Sequence, residues 1–258
     1  MAIQQKILLV GCGKMGSALL EQWNKNIGYH IFVLDPSTKR GYESLASLPV
    51  KQFNIIVLAV KPQVMDKVLS ELTRRVTSSL YVSIAAGKTL KYLEKNLPPN
   101  QAIIRTMPNT PAMVGKGMTV ACANALVSSA QKTSIKALFE NVGQFEWVAD
   151  ETFMDAVTAV SGSGPAYVFL LIEELAKAGA ELGLPADLAM KLARQTVIGS
   201  AALAEAQKDI PIETLRKNVT SPGGTTEAAL EILTDPRGLS LLIQKAISAA
   251  STRSRELS

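Results

Sequence analysis

The stretch that decides the fold is "VGCGKMGSALL", Val10–Leu20. Gly11, Gly13 and Gly16 stand in the spacing GxGxxG, between the apolar run "KILLV" and a helical pattern. In such a loop the first glycine permits a tight turn and the second lets a pyrophosphate approach the backbone. The third glycine lets the helix pack close to the strand. Because a helix N-terminus attracts phosphate groups, the stretch predicts a dinucleotide-binding site.

Short apolar runs alternate with helical patterns on both sides of this loop. The runs "YHIFVLD", "FNIIVLAV", "LYVSIAAG" and "AIIRTMP" have few polar interruptions, which is typical of strands buried on both faces of a parallel sheet. "MTVACA" and "FEWVAD" predict two further strands. The helix between them opens with Ser128 and Gln131 in capping-box spacing. The pattern predicts an α/β fold with an N-terminal Rossmann-type dinucleotide-binding domain over residues 1–150.

Strand patterns end near residue 150. Residues 151–258 predict an all-α second domain, in which a glycine-rich break, "SGSGPAY", interrupts the first helix. The later helices are rich in Ala, Leu and Ile on most faces, and helices of this kind need more burial than a small bundle supplies. We therefore expect this domain to pack against a second copy of itself.

Composition excludes several classes of protein. Apolar residues make up 47% of the 258, and the net charge of +5 is spread along the chain, so no nucleic-acid partner is expected. Two cysteines far apart predict reduced thiols in a cytoplasmic protein, without a metal site. No run of 18 uninterrupted apolar residues is present, and we expect no membrane span. The single histidine, His30, is interpreted as a strand-edge residue, so any chemistry proceeds without a histidine base.

The end of the second predicted strand bears on the choice of coenzyme. Asp35 stands where an acid accepts hydrogen bonds from the adenosine ribose and favours NADH over NADPH, although it could simply start a turn before Pro36. Ser37, Lys39 and Arg40 follow, and they could instead hold a 2′-phosphate. The sequence leaves NADPH and NADH both open.

Three more loops fall where predicted strands end. They are "AVKP", "IAAG" and "TMPNTP", and ligands of open α/β sheets bind at such carboxyl ends. Ordinary strand-to-helix turns are the alternative for each loop. In the last loop, Asn109 could orient the carboxamide of a nicotinamide ring. The predicted coenzyme ligands in all these loops are Gly11, Cys12, Gly13, Lys14, Met15, Gly16, Asp35, Ser37, Ala59, Val60, Lys61, Pro62, Ala85, Ala86, Gly87 and Asn109.

Two glycine motifs of the second domain need an explanation. "SGSGPAY", Ser161–Tyr167, predicts a kink and a close approach to ligands. "SPGGTT" precedes a helical pattern, and the amides of Gly224, Thr225 and Thr226 are expected to face outward as an anion site. The alternative is that one of the two threonines merely caps the helix.

Taken together, "VGCGKMG", "AVKP", "SIAAG", "MPNTPA", "SGSGPAYVF" and "SPGGTT" resemble the pyrroline-5-carboxylate reductase family. The resemblance runs from about residue 5 to residue 257, and "LRKNVTSPGGTTEAALEIL" is its most specific part. It implies reduction of the C=N bond of 1-pyrroline-5-carboxylate to L-proline by NADPH or NADH. It also implies a homodimer with interlocked helical domains. Dimers of the family often assemble further into decamers, and the sequence leaves dimer and decamer both open.

Carried over by position, the resemblance implies a set of site residues. The substrate ligands it implies are Glu151, Thr158, Ser221, Gly224, Thr225 and Thr226. Asn218 is implied to contact the coenzyme. Thr226 is the predicted catalytic residue, since its side chain can reach the ring nitrogen. The short segment at residues 35–54 departs from the family and leaves NADPH preference in doubt.

The sequence argues against two other classes of protein. β-Hydroxyacid dehydrogenases place a catalytic lysine four residues after the second glycine of a GxG motif, where this chain has Val168. A dinucleotide sensor without catalysis would not need the second anion site at "SPGGTT".

Overall fold

A computed structural model of the chain describes residues 5–26, 28–38 and 41–257. The strands within these ranges are β1 (Gln5–Val10), β2 (Tyr29–Leu34), β3 (Gln52–Phe53), β4 (Ile55–Leu58), β5 (Thr77–Ser78), β6 (Tyr81–Ser83), β7 (Ile103–Met107), β8 (Gly117–Ala123) and β9 (Gly143–Trp147). The helices are α1 (Lys14–Trp23), α2 (Met65–Leu72), α3 (Leu90–Asn96), α4 (Ser129–Glu140), α5 (Met154–Val157), α6 (Gly164–Glu181), α7 (Ala186–Ala206), α8 (Ile212–Asn218), α9 (Thr225–Leu233) and α10 (Leu239–Glu256).

Seven strands form one sheet in the order β2-β1-β4-β6-β7-β8-β9. The first five of these pair in parallel, as the unbroken apolar runs predict. β8 runs antiparallel to β7, and β9 is parallel to β8. The chain passes from β1 to β2 on one side and then returns to β4 on the other. Ligands of open α/β sheets bind at such a reversal, so the loop after β1 lies at the expected place.

Burial on both faces of the sheet explains the apolar runs. In β1, Ile7 and Leu9 join one apolar cluster, whereas Leu8 and Val10 join another. Successive residues of a strand point to opposite faces, so both faces of the strand are covered. The capping box before α4 is present as predicted, because the Ser128 and Gln131 side chains each bond the other residue's backbone.

Contacts divide the chain into two compact units. Unit 1 comprises Met1–Ser163 with Ala250–Ser258, and unit 2 comprises Gly164–Ala249. The boundary after residue 150 remains a proposal based on where strand patterns end. Unit 1 holds the seven-stranded sheet, and unit 2 is helical.

Unit 2 has little apolar interior of its own within this chain. Its buried apolar side chains are Ala176, Ala189 and Ala193, where α6 and α7 pack together. Phe169 and Leu170 of α6 are more than half exposed, at 58% and 54%. By length and composition alone, the stretch Glu151–Glu181 could also cross a membrane.

Candidate active site

The glycine loop after β1 has the geometry that its spacing predicts. Gly11 has a φ of +94°, and a Cβ added there would lie 2.7 Å from the carbonyl oxygen of Ala59. A Cβ at Gly16 would lie 2.4 Å from the carbonyl oxygen of Gly11. A Cβ at Gly13 would meet no described atom within 4 Å. The loop therefore needs Gly11 and Gly16 for its own packing, whereas Gly13 keeps its backbone open toward a ligand.

A helix begins directly on this open side. Gly13 is the N-cap of α1, and no side chain caps it. The first-turn N–H groups of a helix have no partner inside the helix, and the helix dipole is positive at this end. The residues present therefore fit the pyrophosphate of a dinucleotide.

Asp35 follows β2 and is held rigidly beside the loop. Its Oδ2 accepts from the Cys12 amide at 2.6 Å, and its Oδ1 accepts from the amide and the hydroxyl of Ser37 at 2.8 and 2.6 Å. Burial alone would raise the pKa of Asp35, but these hydrogen bonds outweigh burial and hold it below the ordinary value. The result is a fixed carboxylate at the position that suits an adenosine ribose.

A pocket of about 510 Å³ lies against the loop and this carboxylate. It is lined in part by Gly13, Asp35, Ser37, Ala59 and Lys61, which the sequence predicts as coenzyme ligands. The "AVKP" loop thus shares one pocket with the glycine loop. Lys39 and Arg40, the alternative ligands of a 2′-phosphate, lie outside the described residues.

The loop after β6 is covered from a distant part of the chain. Gly87 has a φ of +73°, and a Cβ added there would lie 2.5 Å from the carbonyl oxygen of Leu257. Residues just after α10 therefore pack on the loop that holds Ala85, Ala86 and Gly87. Direct contact of this loop with a coenzyme remains a prediction.

Asn109 follows β7 and is engaged by other parts of unit 1. Its Oδ1 accepts from the Met118 amide at 2.8 Å. Its Nδ2 donates to the carbonyl oxygen and to the Oγ of Ser161, both at 3.2 Å. The predicted contact of Asn109 with a carboxamide therefore has to compete with these bonds, and it remains a prediction.

Glu151, a substrate ligand by resemblance, lies in a charged cluster inside unit 1. Its Oε1 accepts from Arg105 Nη1 and from the Leu90 amide, both at 2.8 Å. The Arg105 side chain is 2% exposed, and its Nε and Nη2 have no described hydrogen-bond partner. Sequence reasoning gave Arg105 no role, although a charge in the middle of the apolar run "AIIRTMP" was a signal.

The predicted break in the first helix of the second domain is a π-helical turn over Thr158–Gly162. The Ser163 amide donates to the carbonyl oxygen of Thr158 at 2.9 Å, which closes this wider turn. Thr158 also donates its hydroxyl to the Met154 carbonyl. Pro165 falls in the first turn of α6, where its missing N–H costs no hydrogen bond. Such π turns are frequent at functional sites.

The "SPGGTT" stretch of unit 2 leads into α9 and corrects two expectations. The N-cap of α9 is Gly224, so the interpretation of Thr225 or Thr226 as the cap is wrong. The Gly224 amide donates to the Ser221 carbonyl at 3.0 Å and does not face outward as expected. The amides of Thr225 and Thr226 open the helix and remain available for an anion. Glu227 accepts from the Gly223 amide at 2.6 Å and closes the loop.

Other predicted residues fall in plain positions. Asn218 is the last residue of α8. His30 is exposed on β2, an edge strand, which confirms its interpretation as a strand-edge residue. Its ring stacks on Phe32. Cys12, which is half-buried, and Cys122, which is buried, are not joined by a disulfide bond.

A glycine loop opening a helix, a mostly parallel sheet and a helical second unit are typical of dinucleotide-dependent oxidoreductases. Comparison with known families agrees with this class. A family described as "NADP oxidoreductase coenzyme F420-dependent" matches residues 6–87, and one described as "Pyrroline-5-carboxylate reductase dimerisation" matches residues 151–257.

Similar proteins match over nearly the whole chain. A pyrroline-5-carboxylate reductase of Haemophilus influenzae is 37% identical, over 99% of this chain and 98% of its own length. The structure of a pyrroline-5-carboxylate reductase from Coxiella burnetii superposes with a TM-score of 0.89 at 35% identity, covering 99% of both chains. That of a Plasmodium falciparum pyrroline carboxylate reductase with NADP bound gives 0.86 at 35% identity, covering 100% of this chain and 99% of the other. The chain belongs to the pyrroline-5-carboxylate reductase family.

Proposed function

We propose that this protein reduces 1-pyrroline-5-carboxylate to L-proline with NADPH or NADH, the last step of proline synthesis. The observation that carries the proposal is the glycine loop with its open Gly13, in a chain whose relatives are named for this activity. The coenzyme supplies a hydride to the imine carbon when it is bound. The ring nitrogen gains one proton, so that the C=N bond becomes an amine.

The substrate combines an anion with an electrophile. A protonated cyclic imine accepts hydride readily, which suits a chain whose one histidine lies exposed on an edge strand. The protein then has mainly to hold the reactants together. Proximity of this kind can supply about 7–11 kcal/mol of a barrier.

The start of α9 is the proposed seat of the substrate carboxylate. The amides of Thr225 and Thr226 lie in the first turn of a nine-residue helix, whose dipole favours an anion. Gly223 has a φ of +69°, which lets the backbone turn before the helix. We assign Ser221, Gly224, Thr225 and Thr226 to this site. As the resemblance implies, we also assign Thr158 and Glu151 to the substrate and Asn218 to the coenzyme.

Thr226 is the proposed catalytic residue, which donates a hydrogen bond or relays a proton to the ring nitrogen. The Thr226→Ala variant should lower kcat more than about tenfold while coenzyme binding is unchanged. Turnover equal to that of the unchanged protein would disprove this role.

The function itself is tested by mixing the protein with pyrroline-5-carboxylate and either reduced coenzyme. Loss of absorbance of the reduced coenzyme, with proline as product, is expected. If neither coenzyme is oxidised, the reductase proposal fails. Binding of coenzyme without turnover would instead support the sensor alternative.

We further propose a homodimer, from which decamers assemble, in the cytoplasm. The exposed apolar side chains of α6 and the match to a dimerisation family support the dimer. In this proposal a second copy, and not lipid, covers the apolar stretch Glu151–Glu181. Light scattering of the purified protein in detergent-free buffer measures its oligomeric state directly.

A further inference from the structure

The side chain of Asn109 is engaged at both its oxygen and its nitrogen inside unit 1. Its carbonyl oxygen accepts from the Met118 amide, which fixes which end of the amide is oxygen. Its two N–H groups then match the two bonds to Ser161, one to the carbonyl oxygen and one to Oγ. Asn109 therefore clamps Ser161 to the loop that follows β7.

Ser161 is held in the π-helical turn as well as by Asn109. The turn Thr158–Gly162 is closed by the Ser163 amide, and Gly162 packs against Met107 of β7. A Cβ at Gly162 would lie 3.3 Å from the Met107 sulfur, so the turn rests closely on the end of the strand. The position of the Ser161 hydroxyl is thus set by a strand and not by a flexible loop.

The hydroxyl of Ser161 retains a proton to donate. Its oxygen accepts from Asn109, and among residues 5–26, 28–38 and 41–257 the hydroxyl donates to no group. A serine hydroxyl has one donor and two acceptor positions. Ser161 is half-buried, and its hydroxyl is a positioned donor that can be offered to a bound ligand.

The order of strands in the sheet indicates which part of a bound dinucleotide would lie near the Ser161 hydroxyl. The predicted pyrophosphate site follows β1, and Asp35, the predicted ligand of the adenosine ribose, follows β2 on one side of it. A dinucleotide lies across the reversal of strand order, so its nicotinamide end extends toward the strands on the other side, β4, β6 and β7. Ser161 is clamped at the end of β7, on this nicotinamide side.

We propose that Ser161 donates a hydrogen bond to the carboxamide oxygen of the nicotinamide ring, and that Asn109 is the positioning residue that aims it. This proposal deepens the proposed function, because it names a coenzyme contact for the same reaction. It transfers the predicted carboxamide contact from Asn109 itself to the serine that Asn109 holds.

Binding of oxidised coenzymes, measured by calorimetry, tests the contact without turnover. Ser161→Ala should raise Kd for the natural coenzyme about three- to tenfold, the size of one hydrogen bond. The thionicotinamide analogue carries sulfur, a weak acceptor, in place of the carboxamide oxygen, so the same substitution should change its Kd less than about twofold. Asn109→Ala should reproduce this difference, and the double variant should be no worse than either single one.

Equal losses for the natural and the sulfur-containing coenzyme would overturn the proposal. If Asn109→Ala fails to fold, Ser161→Ala alone tests the proposal, because the bond from Asn109 to the carbonyl oxygen of residue 161 is kept in that variant. Ser129→Ala, an exposed serine on α4, is the matched control and should change neither Kd. A protein that binds coenzyme in this way but does not reduce pyrroline-5-carboxylate would refute the proposed function and leave this contact standing.

Discussion

Replacing Glu151 separates two roles for one carboxylate. By resemblance it binds substrate, whereas in the structure it is the acceptor for a buried guanidinium and for the Leu90 amide. Glu151→Ala leaves Arg105, which is 2% exposed, without an acidic partner among the described residues. The two roles predict different measurements.

The expected loss of stability follows from burial. Removing one partner of a buried ion pair costs about 3–5 kcal/mol. Glu151 itself is 27% exposed, so water can partly replace its carboxylate. We therefore expect a loss of unfolding free energy at the lower end of this range, about 3 kcal/mol. For a chain of this size that corresponds to a fall in Tm of about 6–12 °C. Glu151→Gln keeps a neutral acceptor and should lose about 1 kcal/mol, or about 2–4 °C.

Thermal unfolding and steady-state kinetics are measured on the same preparations at equal protein concentration, because dimer formation shifts Tm. Glu140→Ala is the control, since it breaks an exposed pair with Lys136 and should cost less than about 1 kcal/mol. Arg105→Met combined with Glu151→Gln should have a Tm at least as high as that of Glu151→Gln alone, because the buried guanidinium that lacks an ionic partner is then also removed. A Tm for Glu151→Ala within about 2 °C of the unchanged protein, joined with a raised KM for pyrroline-5-carboxylate, would refute the structural role and favour direct substrate contact.

Three further outcomes follow from the coenzyme pocket and the thiols. Gly11→Ala should lower Tm because of its clash with Ala59, whereas Gly13→Ala should keep Tm and weaken coenzyme binding; equal effects on Tm would contradict the two glycine roles. Asp35→Asn should raise the NADPH-to-NADH ratio of kcat/KM about tenfold by removing a charge that repels the 2′-phosphate. Folding lowers the pKa of Asp35, so its carboxylate stabilises the unchanged protein above pH 3.8, and this stabilisation is lost as the pH falls further. Asp35→Asn should lack this contribution, which a pH series of unfolding midpoints for both proteins checks. An alkylating reagent should label Cys12 in the native protein and spare Cys122, because burial and the nearby Glu151 raise the pKa of Cys122 to about 12; equal labelling rates would contradict this.

Most of the elements in the main sheet could be predicted from local patterns. Unbroken apolar runs identify the parallel strands, GxGxxG identifies the turn into α1, and Ser128 with Gln131 identifies the start of α4. Each of these signals lies within a few residues of the structure it specifies. Burial of both sheet faces repeats the same signal in the central parallel strands β4, β6 and β7, so the prediction there does not depend on one strand alone.

Contacts between distant residues could not be predicted in this way. The Arg105–Glu151 pair and the Asn109–Ser161 clamp join residues 46 and 52 positions apart. They depend on the pairing of β7 with β8 and on the seating of the π turn, which no local pattern reports. For Asn109 and Glu151, sequence reasoning selected residues with several partners in unit 1 and assigned them directly to ligands.

The seating of Leu257 on Gly87 has a consequence for synthesis of the protein. Unit 1 includes residues 250–258, and unit 2 is the intervening stretch Gly164–Ala249. The packing around the loop after β6 is therefore not complete until residue 257 has left the ribosome, long after β6 itself has emerged. We expect the coenzyme-binding unit to mature late in translation, and ribosome-bound chains that stop before residue 250 to be more sensitive to protease near Gly87 than the released protein.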